Sequence, residues 1–409
     1  VIVLGTNSFA PGKDIIALRA DTPALAIRLQ QGSSLTLSAR GSANAVYCPA
    51  GSLTAEGPGS LTASSEEYPA LWVQKDIALE GGLKAGLSSD SQAVYSASGG
   101  IAVDSASLTA CSRDAAIFAE GASTGGACPG TSVVLRNSEV SLDTRQGYDA
   151  VWAAQGGILV EDTVLTTKAN KSADMEGYSL YSYGDITIRG NKTDIKTDDG
   201  TGISADGRIL IEGGRVNTSS TDVALLGWDG VQVTGGTVKA HSAQNSAILA
   251  RDGAFCATGA QTSVTATSDA EPAENKAVIR NFRDGGIHLG ADVTAVSTKG
   301  GRPFEGVMKD KSTGITFGEG VSVLGASVET EDGKSYLVSA DGRPLTGTAA
   351  ACLHSWGAPA WNWAADHSSA AAVFTCAKDA SHTVEVKATV DSAKRGNDTV
   401  YTASAMFGG

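Results

Sequence analysis

The sequence predicts an all-β protein: a right-handed parallel β-helix of about 11 to 12 rungs, followed by a small C-terminal antiparallel β domain. Three observations predict it. A small-aliphatic-x motif recurs with a base period of 22 to 23 residues, apolar residues alternate with period two inside each unit, and tight Gly-containing corners separate the short apolar pairs. The motif marks Leu25, Val46, Leu71, Val94, Ile117, Val151, Leu180, Ile203, Leu225, Ile248, Val278 and Val307, and longer steps are insertions, read at 119–131, 166–177, 266–276 and 298–306. No Leu-x-x-Leu-x-Leu frame accompanies it, so a leucine-rich horseshoe is excluded.

The unit is clearest at Gly202-Ile203-Ser204-Ala205-Asp206-Gly207, Arg208-Ile209-Leu210-Ile211 and Glu212-Gly213-Gly214-Arg215-Val216-Asn217, three short strands joined by corners. Alternation turns Ile209 and Ile211 inward and Leu210 outward. Stacking at ~4.8 Å per coil gives a rod of ~53 Å whose core is a set of aliphatic columns. Right-handed crossovers follow from the general preference of parallel strands.

Residues 1–345 are assigned to the solenoid, with 1–20 as an N-terminal strand or cap, 346–350 as a linker, and 351–409 as a separate module. The last 59 residues hold three of the six Trp and three of the five His, and alternating runs such as Thr383-Val384-Glu385-Val386 read as strands of a small antiparallel sheet. An open solenoid end needs a cap, which this module is placed to supply.

Composition narrows the function classes. With 42% apolar residues, 50 Gly and 18% charged residues in 409, the chain has ample core material, and its apolar runs are too short to cross a bilayer as helices. A formal charge of -13 repels a phosphate backbone, so nucleic acid is not an expected partner.

The repeat Gly-Ile-Ser-Ala-Asp-Gly-x-Ile-x-Ile-x-Gly-Gly-x-Val at 202–216 resembles the β-helical carbohydrate-binding domains of clostridial and related Gram-positive surface proteins, best over about 170–300. The tail, Cys-x-His-Ser-Trp…Trp-x-Trp-x-x-Asp…Phe-x-Cys, resembles a module at the C-termini of extracellular proteins from gut Firmicutes and Actinobacteria. The resemblance implies an exported, secreted or cell-surface protein, a polysaccharide partner (a plant or host glycan) and structural calcium.

Two columns carry candidate chemistry. The residue after the aligned aliphatic is Tyr47, Trp72, Tyr95, Phe118, Trp152 and Tyr181 in six successive rungs. Exposed, these rings offer platforms for successive sugars; the same column continues as Ser204, Leu226, Leu249 and Ile279, and covered it is packing. Asp-Gly pairs at 206, 229, 252 and 284 are turn signals first, and stacked carboxylates are also a setting for calcium. The resemblance favours Asp198, Asp199 and Asp206 as calcium ligands.

A β-helix polysaccharide lyase or glycoside hydrolase is the rival reading. Asp198-Asp199 is the one adjacent pair that resembles the polygalacturonase motif, but no His-Gly follows it, and Arg251, Arg280, Arg283, His241 and His288 have no diagnostic spacing. His354-Ser355 and Asp366-His367 supply triad residue types without a nucleophile elbow. A non-catalytic binding protein is the preferred expectation, with an adhesin or structural stalk as a third class.

Export implies oxidising conditions, under which Cys352 and Cys376 are expected to pair, closing a loop worth ~3 kcal/mol in the chain-entropy model. Zinc held by these residues with His354 and His382 is the alternative. Cys111 and Cys128 form a second possible bridge, while Cys48 and Cys256 are expected to pack as small hydrophobes.

Overall fold

The computed structural model describes residues 1–123, 130–146, 148–169, 177–198, 202–273, 275–283, 285–307 and 314–407. Among them there is no helix. Each coil contributes three strands, as in Ile203–Ala205, Ile209–Ile211 and Arg215–Ser220. They pair residue for residue with the next coil: Ile203 with Leu225, Ile209 with Val231 and Val216 with Val238, all parallel. Twelve short strands, from Leu18–Arg19 to Phe304–Val307, stack in this way, so the fold is a parallel β-solenoid.

Period two and stacking together build the core. Ile209 and Ile211 are fully buried and Leu210 is half-buried between them. Leu53, Ile77, Ile101, Val133 and Ile158 form one continuous inner column through registered pairs, and the same column reaches Phe255 and Ile287. Each such side chain contributes about 1.5 to 3 kcal/mol of burial.

A second inner column is polar. The third strand of many coils ends on a buried hydroxyl, and that hydroxyl donates to a carbonyl of the following or neighbouring corner: Ser89 to Tyr68 at 2.7 Å, Thr144 to Tyr148 at 3.0 Å and Ser268 to Asn245 at 2.6 Å. Corners leave carbonyls that the ladders cannot satisfy, and this column satisfies them.

The register differs from the sequence reading at three marked positions. Leu25 pairs with Leu53 on another face, and Leu18 is the equivalent of Val46. Ile279, not Val278, lies opposite Ile248, and Phe304, not Val307, continues the column. Val278-Ile279 offers two adjacent aliphatics, so the motif alone does not choose. Asn281 does: it is buried two residues after Ile279, donates to Ala250 O and Gly253 O, and accepts from Gly286 N. Of the segments read as insertions, 166–169, 266–268 and 304–306 are ladder strands.

The ends are built differently from the interior. Residues 1–20 supply Ile2–Val3, Thr6–Phe9 and Leu18–Arg19, each paired with the next coil, so they make a coil of their own. At the other end Lys334–Ser339 runs antiparallel to Phe304–Val307, and Thr348–Leu353 runs antiparallel to both Ile287–Ser297 and Val321–Ser322. The segment read as a linker therefore includes the start of a strand that covers the last ladder edge. Beyond it lie an antiparallel sheet of Ala360–Trp363, Ala370–Thr375 and Thr383–Lys387 and a hairpin of Thr389–Arg395 with Asp398–Ser404. Lys378 Nζ reaches Asp292 at 2.8 Å, and Leu353 N donates to the same carboxylate, tying the module to the solenoid.

Candidate functional site

The six aromatic residues form one ladder. Tyr47, Trp72, Tyr95, Phe118, Trp152 and Tyr181 are paired in register on the short strands, and all six are half-buried. Ring centroids of successive members lie 4.8, 6.0, 5.4, 4.3 and 6.5 Å apart. Phe118 and Trp152 are parallel within 8°, so those two faces cover each other, while the remaining pairs are tilted by 34 to 58° and leave edges and parts of faces at the surface. The column is thus both packing and surface, and each pair adds about 0.5 to 1.5 kcal/mol beyond burial.

Polar groups edge the ladder. Burial, then hydrogen bonding to Glu120 and that carboxylate's charge, push the Tyr95 phenol above its ordinary range. Tyr181 donates to Asp206, and Arg19 lies over the Tyr47 ring with its guanidinium carbon 5.5 Å from the centroid. After Tyr181 the ladder column turns to Ser204 and Leu226 and closes on buried Arg280 and Glu305, an ion pair at 3.3 Å.

The aromatic band does not stop there. It crosses two residues over, to a corner column that the sequence reading missed: Tyr183, Asp206, Trp228, Arg251 and Phe282 occupy successive coils, as the bonds Asp206 N to Ser182 O, Trp228 N to Ala205 O, Arg251 N to Gly227 O and Phe282 N to Ala250 O show. Tyr181 meets Tyr183 edge-on at 5.4 Å and stacks on Tyr178 at the same separation. Tyr183, Trp228 and Phe282 are 49%, 36% and 39% exposed, more open than the ladder. Arg251 lies over Trp228, its guanidinium carbon 3.7 Å from the ring centroid. The missed signal was an offset of two from the ladder position, three from the marked aliphatic, interrupted by Asp and Arg.

The Asp-Gly pairs at 206, 229 and 252 are corners. A Cβ on Gly253 would stand 1.8 Å from Asp229 O, so the coils approach too closely there for any side chain. Burial raises the Asp206 carboxyl, the bond from Tyr181 opposes that, and the charge of Asp229 adds to it. Of the proposed calcium ligands, Asp199 lies outside the described residues, and so do Asp284 and Cys128; Asp198 is described only as the last residue of its strand. The groups weighed for catalysis have structural partners: Arg283 pairs with Asp252 at 3.1 Å, His241 Nε2 lies 2.9 Å from Asp269, and His288 bonds Thr316.

At the capped end, Cys352 and Cys376, the pair expected to bond, stand as free cysteines in this structure. They converge instead with His354 and His382, all four ligand atoms lying within 4.8 Å of one another. Burial and then the nearby His382 hold the His354 imidazole below its ordinary range. Burial raises the Cys376 thiol, but backbone bonds from Ser355, Lys378 and Asp379 outweigh it and lower the thiol overall.

Over residues 15–246 the sequence matches the model of a family described as carbohydrate-binding domain-containing protein. No curated protein and no solved structure matches the chain. The matched span is more than half of the sequence and contains the whole ladder from Tyr47 to Tyr181, together with Tyr183 and Trp228. The chain belongs to the carbohydrate-binding domain-containing protein family.

Proposed function

We propose that this protein is exported and binds an extended polysaccharide, without cleaving it, along the aromatic band of its short-strand sheet. The observation that carries this reading is the continuity of the band: half-exposed rings from Tyr47 to Tyr181, then open rings at Tyr183 and Trp228 beside Asp206 and Arg251. Tilted and exposed rings supply apolar contact for sugar faces, and the carboxylate and guanidinium supply partners for hydroxyls. Coil spacing repeats these contacts along a polymer.

Because the contacts repeat, a long glycan should bind ~100-fold or more tightly than a short oligosaccharide of the same sugar. Tyr183→Ala and Trp228→Ala should each weaken polymer binding about tenfold with little change in melting temperature. Trp152→Ala should weaken binding and lower stability together, because Trp152 stacks on Phe118. A polysaccharide array, followed by calorimetry on the hits with and without chelator, makes the measurement and reports calcium dependence. Unaltered polymer affinity in the Tyr183→Ala, Trp228→Ala double variant would remove the band from the reading, and new reducing ends or unsaturated products would replace binding by catalysis.

A further inference from the structure

The capped end carries a side-chain cluster that carbohydrate binding does not use. Cys352 lies at the end of the capping strand Thr348–Leu353, His354 follows it, and Cys376 and His382 come from the module beyond. The isolated bridge between Trp356 and Cys376 and the bond from Cys376 N to His382 O at 2.9 Å bring the two halves together. Two nitrogens in this cluster, His354 Nδ1 and His382 Nδ1, are buried without a hydrogen-bond partner. The other ring nitrogens are engaged: His354 Nε2 bonds Ser322 Oγ at 3.1 Å, and His382 Nε2 faces Asp379 at 3.6 Å. The His354 ring is therefore oriented from its outer nitrogen, His382 has a carboxylate beside its own, and both rings keep the inner nitrogen free of hydrogen bonds.

We propose that Cys352, His354, Cys376 and His382 form a tetrahedral zinc site that staples the C-terminal module to the solenoid cap. Two thiolates and two imidazoles suit zinc in preference to the oxygen-seeking calcium or magnesium. Zinc–sulfur and zinc–nitrogen bonds of about 2.3 and 2.0 Å place tetrahedral ligands ~3.3 to 3.8 Å apart, so a cluster already within 4.8 Å closes with small side-chain movements. His354 Nε2 is bonded to Ser322, and the Asp379 carboxylate stands beside His382 Nε2 in the place where a carboxylate commonly backs a metal-bound histidine. The module also needs a staple. Between 355 and 407 only Ala370, Ala372 and Cys376 are buried among its hydrophobic residues, too little for a sheet of this size to stand alone.

The test uses the full chain, purified under reducing conditions without chelator. One zinc per chain should be found by elemental analysis, and cobalt(II) put in its place should give the visible bands and sulfur charge-transfer absorption of tetrahedral thiolate coordination. Asp379→Asn, which leaves all four ligands in place, should weaken zinc binding ~10- to 100-fold. With free zinc at a hundred times its dissociation constant, chelation should speed amide exchange over 360–387 by ~100-fold while the coils near Ile101 stay protected. Cys376→Ser should abolish the cobalt spectrum; if that variant misfolds, the Asp379→Asn affinity decides. Absence of stoichiometric zinc or cobalt from the reduced chain, or a Cys352–Cys376 disulfide in zinc-free protein isolated in parallel without reductant, overturns the proposal.

Discussion

Phe255→Ala should destabilise the solenoid by ~3 to 5 kcal/mol, and should do so locally. Phe255 is among the largest fully buried side chains of the chain and stands in the inner column between Val231 and Ile287. Truncation leaves a cavity that the two neighbouring coils cannot fill, because their own side chains are fixed by parallel registers above and below. In a stacked architecture each coil contacts chiefly its neighbours, so the loss should spread only a coil or two. Amide exchange should accelerate from about 231 to 317 and stay slow around Leu53 and Ile77. Uniform acceleration along the whole chain would mean that the solenoid opens as one cooperative unit; a loss below ~1 kcal/mol would mean that this column is not close-packed.

The period was legible because burial imposes it on every coil: a strand in a two-faced ladder must alternate, and the inner residues must be aliphatic. The same rule located the ladder from Tyr47 to Tyr181, since each ring follows an inward residue and so faces out. It failed where two adjacent positions satisfy it equally. At Val278-Ile279 the choice of register was made by Asn281, whose three hydrogen bonds to corner backbone are tertiary information. Whether the ladder was packing or platform was also out of reach, because it depends on ring tilt. The structure shows packing and partial exposure together: one mutually stacked pair, Phe118 and Trp152, within a series of tilted, half-buried rings.

The continuation into Tyr183, Trp228 and Phe282 was hidden for a related reason. Its members occupy the corner instead of the strand, and Asp206 and Arg251 interrupt the aromatic pattern that a sequence scan follows. At the capped end, residue types pointed to the Cys and His set, but the spacing of Cys352-x-His354 and Cys376-x5-His382 matched no familiar frame. Only the antiparallel pairing of Thr348–Leu353 against the solenoid, with the return of the chain at Cys376, explains how such uneven spacing yields a compact cluster.

Asp149→Asn should stabilise the protein by up to ~4 kcal/mol at pH 8 and by almost nothing at pH 4. The Asp149 carboxyl is enclosed, and burial pushes it up to about 7 although Tyr178 N donates to it at 2.6 Å and pulls the other way. In the unfolded chain the same group titrates near its ordinary 3.8. Below pH 4 both states keep the proton, and the group is neutral to folding. Between about pH 4 and 7 the unfolded chain releases its proton while the folded chain retains it, so the folded state binds more protons and loses stability as pH rises. Above about 7 both are ionised and the penalty is constant. The residue as a whole is only half-buried, which makes ~4 kcal/mol an upper limit. Asparagine keeps an acceptor for Tyr178 N and has nothing to titrate. The effect bears on the proposed binding face, because Tyr178 stacks on Tyr181 and the charge of Asp149 also reaches the Tyr181 phenol. Ionisation of Asp149 should therefore loosen the end of the ladder, and polymer affinity should fall between pH 5 and 8 in the wild type and stay level in Asp149→Asn. Equal melting-temperature profiles for the two proteins across that range would show that the carboxyl is solvated and titrates as an ordinary aspartate.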